Sequence, residues 1–226
     1  MVDVILVGDS MGMVLYGMDN TREITDEIMI RHASAVKKAS NKSLVFFDLP
    51  YSKKFSEEKI IKRTIQIFNQ TKCDGVKIEG NTELVDVIKY LTKKNIPVMA
   101  HVGLQPQKFS SASKFKIYGR KEDDLKNILN DCKALEKAGA ISLLLEGILT
   151  EIATQITFAS KIPTIGIGAS EYCDGQILVS EDMLGIFTEY HPKFVKKYAN
   201  LSSNIQNAIK RFSSEVNRNK FPNKKF

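Results

Sequence analysis

Ionisable side chains recur in this sequence where short apolar runs end, a placement that could gather them into one reactive site. Carboxylate, ammonium and imidazole groups together can bind a metal ion, hold an anionic substrate and move a proton. Each residue alone has a structural explanation, since an Asp after a strand is more often a turn residue or a helix cap. The recurrence at five successive runs favours a catalytic cluster. The residues are Asp9 and Ser10, Asp48, Lys77 and Glu79, His101, and Glu146.

Three carboxylates of this set, Asp9, Asp48 and Glu79, predict a Mg²⁺ site. Carboxylate oxygens are hard ligands that suit Mg²⁺, and no Cys/His set accompanies them to favour Zn²⁺. Because Mg²⁺ retains waters, one of the three can bind through water. With open positions the ion can chelate a 2-oxo acid and, as a Lewis acid, stabilise the enolate formed by deprotonation at C3.

The remaining ionisable residues suit the other roles. Glu146 lies on a different run from the three carboxylates and can act as the base. Lys77 can pair with a substrate carboxylate, and His101 can donate a hydrogen bond or orient a ligand. Structural alternatives stay open: Lys77 and Glu79, two apart on a strand, face the same side and could form a simple ion pair, and a lone histidine can be structural.

The apolar runs predict the strands of a parallel sheet. Most are apolar at successive positions, as in strands covered on both faces, and amphipathic helical patterns separate them. This order predicts an α/β fold with right-handed crossovers, in which the carboxyl ends of the strands meet on one face. The runs lie at residues 2–7, 43–47, 74–79, 97–102, 141–146, 163–168 and, less clearly, 176–179.

Capping residues mark several helix ends. Ser56 is the predicted N-cap of one helix, and Gly139 is the predicted C′ residue of another. A final helix, starting at Phe194, carries apolar residues at helical spacing that predict a packing face against the body or a partner subunit.

Two loops also attract attention. Residues 104–121 are polar, Ser-rich and long for a connection, which is typical of a functional or mobile loop. The sequence GIGAS at 166–170 lacks the full dinucleotide fingerprint and predicts a phosphate-binding or tight strand-exit turn.

Composition narrows the class of protein. The net charge is +7, but the basic residues are spread along the chain, with one dense cluster in the tail at 218–226, so we expect no nucleic-acid partner. No apolar run approaches the length of a membrane span, and no secretory signal is present. Three scattered cysteines predict reduced thiols and a cytoplasmic protein.

The sequence resembles the ketopantoate hydroxymethyltransferase family along nearly its whole length. The matching motifs occur in the family's order, and such a series is far more specific than any single Gly-rich loop. They are VGDSMGMV, FDLPY, VKIEG, PVMAHVGLQPQ, YGR, LEKAGA, LLLEG, PTIGIGAS, CDGQILV and PKFVKKYA.

The resemblance implies transfer of a hydroxymethyl group from 5,10-methylenetetrahydrofolate to 3-methyl-2-oxobutanoate, giving 2-dehydropantoate for pantothenate synthesis. It implies that Asp9, Asp48 and Glu79 form the metal site and that Glu146 is the proton acceptor. It also implies a homo-oligomer. Expected substrate contacts are Asp9, Ser10, Asp48, Lys77 and His101.

The resemblance implies a (β/α)8 TIM-type barrel, and we expect one domain over residues 1–226 with a C-terminal helix and the basic tail. Seven runs fall one short of the eight strands of such a barrel. We therefore expect that an N-terminal βα unit present in the family is missing here. Two alternatives stay open: a Mg²⁺-dependent 2-oxo acid lyase or mutase on a similar barrel, and a non-catalytic protein, either an inactive truncated copy or a basic binding protein.

Overall fold

The structure, a computed structural model, describes residues 2–51, 56–111, 115–120, 122–188 and 192–222. The chain divides into two compact units, Met1–Ile177 and Leu178–Phe226. The expectation of one domain over residues 1–226 therefore stays a prediction.

A parallel sheet forms the centre of the first unit. Each strand pairs with the next along the chain, so the spatial order is β1-β2-β3-β4-β5-β6-β7. Six of the seven predicted runs are confirmed as strands, and the seventh, predicted at 176–179, overlaps the two-residue strand β7 only at Gln176. This sequential parallel order with intervening helices is the (β/α)-barrel class of fold. The strands are β1 Val4–Val7, β2 Leu44–Asp48, β3 Gly75–Glu79, β4 Val98–Gly103, β5 Ser142–Glu146, β6 Thr164–Ile167 and β7 Gly175–Gln176.

Helices follow the strands, and two predicted caps are confirmed. The Ser56 side chain accepts a hydrogen bond from the Lys59 amide at the start of α3, and Gly139 follows α5 with φ of 103°. Short 3-10 turns lie at Thr21–Glu23, Thr82–Leu84 and Pro106–Lys108. The helices are α1 Met11–Val14, α2 Asp26–Ala39, α3 Glu57–Thr71, α4 Val85–Lys93, α5 Glu122–Lys137, α6 Thr150–Ala159, α7 Ser180–Met183 and α8 Leu201–Asn217.

The two faces of the sheet have different cores because side chains alternate along each strand. One face packs on the helices through residues such as Phe47, Val76 and Leu145. The opposite face has a smaller apolar cluster of Phe46, Met99 and Leu144, with Val4, Leu6, Ile165 and Ile177 packed against it. We call this second face the inner face. The ionisable residues that end the strands continue the inner face toward the carboxyl edge of the sheet.

The second unit contains α7 and α8. Helix α8 begins at Leu201, later than the predicted start at Phe194. The reason is tertiary: the amides of Tyr198 and Leu201 donate to the carbonyls of Met183 and Leu184 instead of to a preceding helical turn. None of the residues of α8 is buried, so the predicted packing face stays a prediction. Part of the predicted basic tail, residues 223–226, lies outside the described residues.

Candidate active site

Strand register brings the predicted site residues together. Asp48 lies opposite Lys77 in the pairing of β2 with β3. Glu79 lies opposite His101 in the pairing of β3 with β4, and Glu146 ends β5, opposite Gly103 of β4. Because partners in register share a face, these side chains converge on the inner face. The fold places them at the carboxyl ends of the strands, where active sites of (β/α) barrels lie.

One part of the site is an aspartate–lysine cluster of Asp9, Asp48 and Lys77. The Lys77 ammonium donates to Asp48 Oδ1 at 2.6 Å, and the Asp9 amide donates to Asp48 Oδ2 at 3.0 Å. A Cβ added at Gly8 would lie 3.1 Å from Ser10 Oγ and 3.5 Å from Asp48 Oδ2, which places Ser10 beside this cluster. The segment that follows β1 is therefore hydrogen-bonded to the end of β2 at the predicted site.

The other part is a glutamate–histidine cluster of Glu79, His101 and Glu146. The His101 ring lies between the two carboxylates, with Nδ1 at 3.5 Å from Glu79 Oε1 and Nε2 at 3.3 Å from Glu146 Oε2. Lys77 Nζ lies 3.6 Å from Glu79 Oε1 and so connects the two clusters. These contacts are at ion-pair distance, but among the residues that the structure describes, Glu79 Oε1 and both ring nitrogens are buried without a hydrogen-bond partner.

Burial and mutual charge shift the proton affinities of the aspartate–lysine cluster. Burial, and then the repulsion of Asp48 and Glu79, raise the pKa of Asp9 well above its usual range. Burial alone would lower the pKa of Lys77, but the surrounding carboxylates Asp48, Glu79 and Asp9 outweigh it and raise that pKa. The site thus holds more negative charge than one ammonium relieves.

The glutamate–histidine cluster behaves differently. Burial would raise the pKa of Glu79, but Lys77 and His101 outweigh it and lower that pKa. Burial and Lys77 would lower the pKa of His101, but Glu146 and Glu79 outweigh them and raise it. The histidine is therefore an electrostatic partner of two carboxylates, and its role in the site stays a prediction.

Two glutamines that we did not predict complete the site. The Gln105 amide donates to the carbonyls of Gly80 at 2.7 Å and His101 at 3.3 Å. The Gln107 amide donates to Asp9 Oδ2 at 2.7 Å and to the Leu49 carbonyl at 3.0 Å. Both belong to the Gln-Pro-Gln segment that follows β4, the strand of His101. The sequence offered no stronger sign of their role in the site than two polar residues on either side of a proline.

The long polar loop predicted at 104–121 returns to the same edge of the sheet. The Leu104 amide donates to the Glu146 carbonyl at 2.7 Å, and Tyr118 forms a parallel bridge with Ile148. Residues 112–114 and 121 of this loop lie outside the described residues. The described parts begin and end beside the strand that carries Glu146.

The GIGAS segment forms a tight turn at the end of β6. Gly168 has φ of 56°, a left-handed conformation that glycine adopts without strain. The Ser170 hydroxyl accepts a hydrogen bond from the Tyr172 amide. The same hydroxyl is hydrogen-bonded to the Thr154 hydroxyl. The chain therefore leaves β6 through a bend at Gly168, as predicted, and the alternative of phosphate binding stays a prediction.

The donor chemistry of the site fits a hard cation. Three carboxylates, among them a Glu79 oxygen that is buried without a hydrogen-bond partner in the described part of the chain, supply hard donors and negative charge that a cation would neutralise. Burial and the neighbouring carboxylates disfavour the charged form of Asp9 while no cation is bound. Across the described ranges, no three Asp, Glu, His or Cys side chains are already arranged as a metal-ligand group. Lys77 and Gln107 instead engage the carboxylates that would supply the ligands.

The fold and the site define an enzyme of the (β/α)-barrel class with a buried acidic centre at the carboxyl ends of its strands. The ketopantoate hydroxymethyltransferase family model matches residues 1–224, and the chain belongs to this family. A 3-methyl-2-oxobutanoate hydroxymethyltransferase of Rhizobium rhizogenes is 44% identical over 97% of this chain and 81% of the relative. The enzyme of the same name from Sinorhizobium fredii is 43% identical over 98% of this chain and 81% of the relative.

Solved structures support the fold class. The chain is similar to 2,3-dimethylmalate lyase, a member of the PEP mutase/isocitrate lyase superfamily, with a TM-score of 0.55 and 14% identity. That match covers 98% of this chain and 75% of the lyase. A Burkholderia cenocepacia protein described as a putative lyase/mutase gives a TM-score of 0.54 with 16% identity. At these identities the likeness concerns the fold alone. No helix in the described ranges has the length and hydropathy needed to span a bilayer.

Proposed function

We propose that this protein transfers a hydroxymethyl group from 5,10-methylenetetrahydrofolate to 3-methyl-2-oxobutanoate, forming 2-dehydropantoate in pantothenate synthesis. The observation that carries the proposal is the convergence of Asp48, Lys77, Glu79, His101 and Glu146 on one face of the sheet. Family membership supports the identity of the reaction.

Asp9 and Asp48 would hold Mg²⁺, with Glu79 as the third acidic residue, directly or through water. When bound, the ion supplies Lewis acidity that favours loss of the C3 proton of the 2-oxo acid. The buried Glu79 oxygen without a hydrogen-bond partner supports this assignment. We infer Mg²⁺ from the hard oxygen donors.

Glu146 is the proposed base. It ends β5, three strands along the sheet from the β2 strand of Asp48, and its side chain is 17% exposed whereas those of Glu79 and His101 are nearly or fully buried. It is therefore the carboxylate of its cluster most open to a substrate. His101 Nε2 lies 3.3 Å from Glu146 Oε2, at ion-pair distance, so a protonated imidazole would attract this carboxylate electrostatically. Glu146 would accept the proton from C3 and become a neutral carboxylic acid.

Lys77 and Ser10 are the proposed substrate contacts beside the aspartates, together with His101. The Lys77 ammonium, buried among carboxylates, supplies the positive charge that an anionic 2-oxo acid requires on entering an acidic site. Ser10 places a hydroxyl next to Asp48 at the exit of β1. Lys77 would thus attract the substrate carboxylate while it pairs with Asp48, and the remaining negative charge is left for the metal ion to neutralise.

The folate donor, a cytoplasmic location and a homo-oligomer are parts of the proposal that the resemblance to the family supports. Turnover of a 2-oxo acid without folate would instead favour the lyase or mutase alternative. A purified wild-type protein that neither exchanges the substrate proton nor turns over with folate would favour an inactive copy.

Exchange of the C3 proton tests the assignment of the base. In deuterated buffer with Mg²⁺ and without folate, proton NMR of 3-methyl-2-oxobutanoate should show wild-type protein exchanging this proton. Glu146→Gln should lower the exchange rate about 10²- to 10⁴-fold, the usual contribution of a general base. Glu151→Gln, which changes an exposed carboxylate on α6, is the matched control and should exchange like wild type. Undiminished exchange in Glu146→Gln would overturn the assignment.

A further inference from the structure

Gln107 occupies an unusual position in the site because it contacts groups from three different strand exits. Its side-chain amide donates to Asp9 Oδ2, beyond β1, at 2.7 Å. The same nitrogen donates to the Leu49 carbonyl, beyond β2, at 3.0 Å. Its backbone amide donates to Glu79 Oε2, at the end of β3, at 3.1 Å. One residue thus joins the exits of the first three strands.

The donors of Gln107 are directed at two of the three carboxylates assigned to the metal site. A side-chain amide nitrogen has two hydrogens, and the Asp9 and Leu49 contacts use both. The Leu49 carbonyl therefore fixes the direction of the hydrogen that reaches Asp9. The Asp9 carboxylate is held with one oxygen turned toward Gln107.

The local backbone keeps this amide in place. Pro106 begins the 3-10 turn that contains Gln107, and a proline at that position restricts the turn without the loss of a needed donor. The neighbouring Gln105 anchors the turn from the other side, to the backbone carbonyls of Gly80 and His101. The two glutamines differ in their targets: Gln105 donates to backbone, whereas Gln107 reaches carboxylates of the site.

We propose that Gln107 is a positioning residue that orients the Asp9 and Glu79 carboxylates for a divalent cation. The inference rests on the proposed function, because it takes Asp9 and Glu79 as metal ligands. Gln107 acts through these residues as an outer-shell partner, and the loss of such a partner weakens metal binding by about 10- to 100-fold.

The test compares cation affinity in wild type, Gln107→Met and Lys108→Ala. Methionine keeps most of the side-chain volume of glutamine but removes both side-chain N–H donors, so the contact with Asp9 is lost while the backbone amide that contacts Glu79 is retained. Lys108 lies in the same 3-10 turn and is exposed, so its replacement controls for a general effect on the turn. Mn²⁺, a paramagnetic divalent ion, is the probe, and free Mn²⁺ is measured by electron paramagnetic resonance without substrate. Melting temperatures are recorded for all three proteins.

The expected result is a Mn²⁺ dissociation constant about 10-fold or more higher in Gln107→Met, with Lys108→Ala like wild type and all three melting temperatures similar. Unchanged affinity in Gln107→Met would overturn the proposal. A loss of affinity matched by a large fall in melting temperature would also overturn it, since Gln107 would then only support the fold.

Failure of the proposed function gives a different result. A wild type that exchanges the C3 proton without binding Mn²⁺ would contradict the metal assignment and, with it, this role of Gln107. A wild type that binds Mn²⁺ but does not turn over would contradict the proposed reaction, while the affinities of the variants would still decide the role of Gln107.

Discussion

The two clusters of the site differ in how well the protein itself satisfies them. In the aspartate–lysine cluster, Asp48 receives hydrogen bonds of 2.6 and 3.0 Å from Lys77 and the Asp9 amide. In the glutamate–histidine cluster, the contacts of His101 with Glu146 and Glu79 are 3.3 and 3.5 Å long. Buried atoms of Glu79 and His101 there have no hydrogen-bond partner within the described ranges.

This difference separates groups that hold the site together from groups that await a ligand. Leaving a buried polar atom unpaired costs about 1–3 kcal/mol. A site that retains such atoms is less stable than a fully paired one, and a bound ligand can satisfy them. We infer that the hydrogen bonds of Asp48 fix the geometry of the aspartate–lysine cluster before a cation binds, and that the unpaired atoms of the glutamate–histidine cluster are satisfied by what binds.

Removal of Lys77 should break the paired cluster with the largest effect on stability. Lys77→Met leaves Asp9, Asp48 and Glu79 buried without their ammonium, and breaking a buried ion pair typically costs about 3–5 kcal/mol. Lys37→Met is the matched control, because Lys37 contacts Asp74 at the same 2.6 Å but both side chains are 29% exposed. Its cost should be about 1 kcal/mol or less. Urea unfolding of the metal-free proteins measures both, and equal costs would contradict the distinction.

Replacement of His101 should have a smaller effect that depends on pH. The pKa of His101 is raised in the folded protein by Glu146 and Glu79, which outweigh burial. The stabilisation from its charged form is therefore complete below its unfolded pKa of about 6.5 and is lost as the pH rises through the raised folded pKa.

His101→Asn should therefore lower the unfolding free energy by about 1–2 kcal/mol below about pH 6, and by less at higher pH. Urea unfolding in the presence of a chelator, over a series of pH values, checks this. His32→Asn is the control variant, because His32 is partly exposed and its ring is hydrogen-bonded to the Tyr16 hydroxyl. A difference from wild type that grows with pH would contradict the electrostatic role of His101.

Much of the fold and the ionisable set followed from local sequence pattern. Apolar runs located the first six strands, because a strand of a covered parallel sheet must be apolar at most positions, whereas the run at 176–179 meets β7 only at Gln176. The position of Asp48, Glu79 and Glu146 at the ends of runs was enough to predict their convergence, because parallel strands share a carboxyl edge.

Interactions between distant parts of the chain could not be predicted in this way. Lys77 and Glu79 are two residues apart on β3, and this spacing correctly indicated that they face the same side and lie in contact. The closer partner of Lys77 is Asp48, and that contact depends on the register of β2 with β3. Gln107 contacts Asp9, 98 positions away in the chain, through a turn whose direction no local pattern specifies. The start of α8 likewise depends on carbonyls of the α7 segment.

Calorimetric titration of 3-methyl-2-oxobutanoate into the protein, with and without Mg²⁺, tests most directly whether a cation and a 2-oxo acid complete this site. We predict binding at least about 10-fold tighter with Mg²⁺, as expected for a substrate chelated by the ion, and loss of that gain in Asp9→Asn. Equal affinity with and without Mg²⁺ in the wild-type protein would contradict the account.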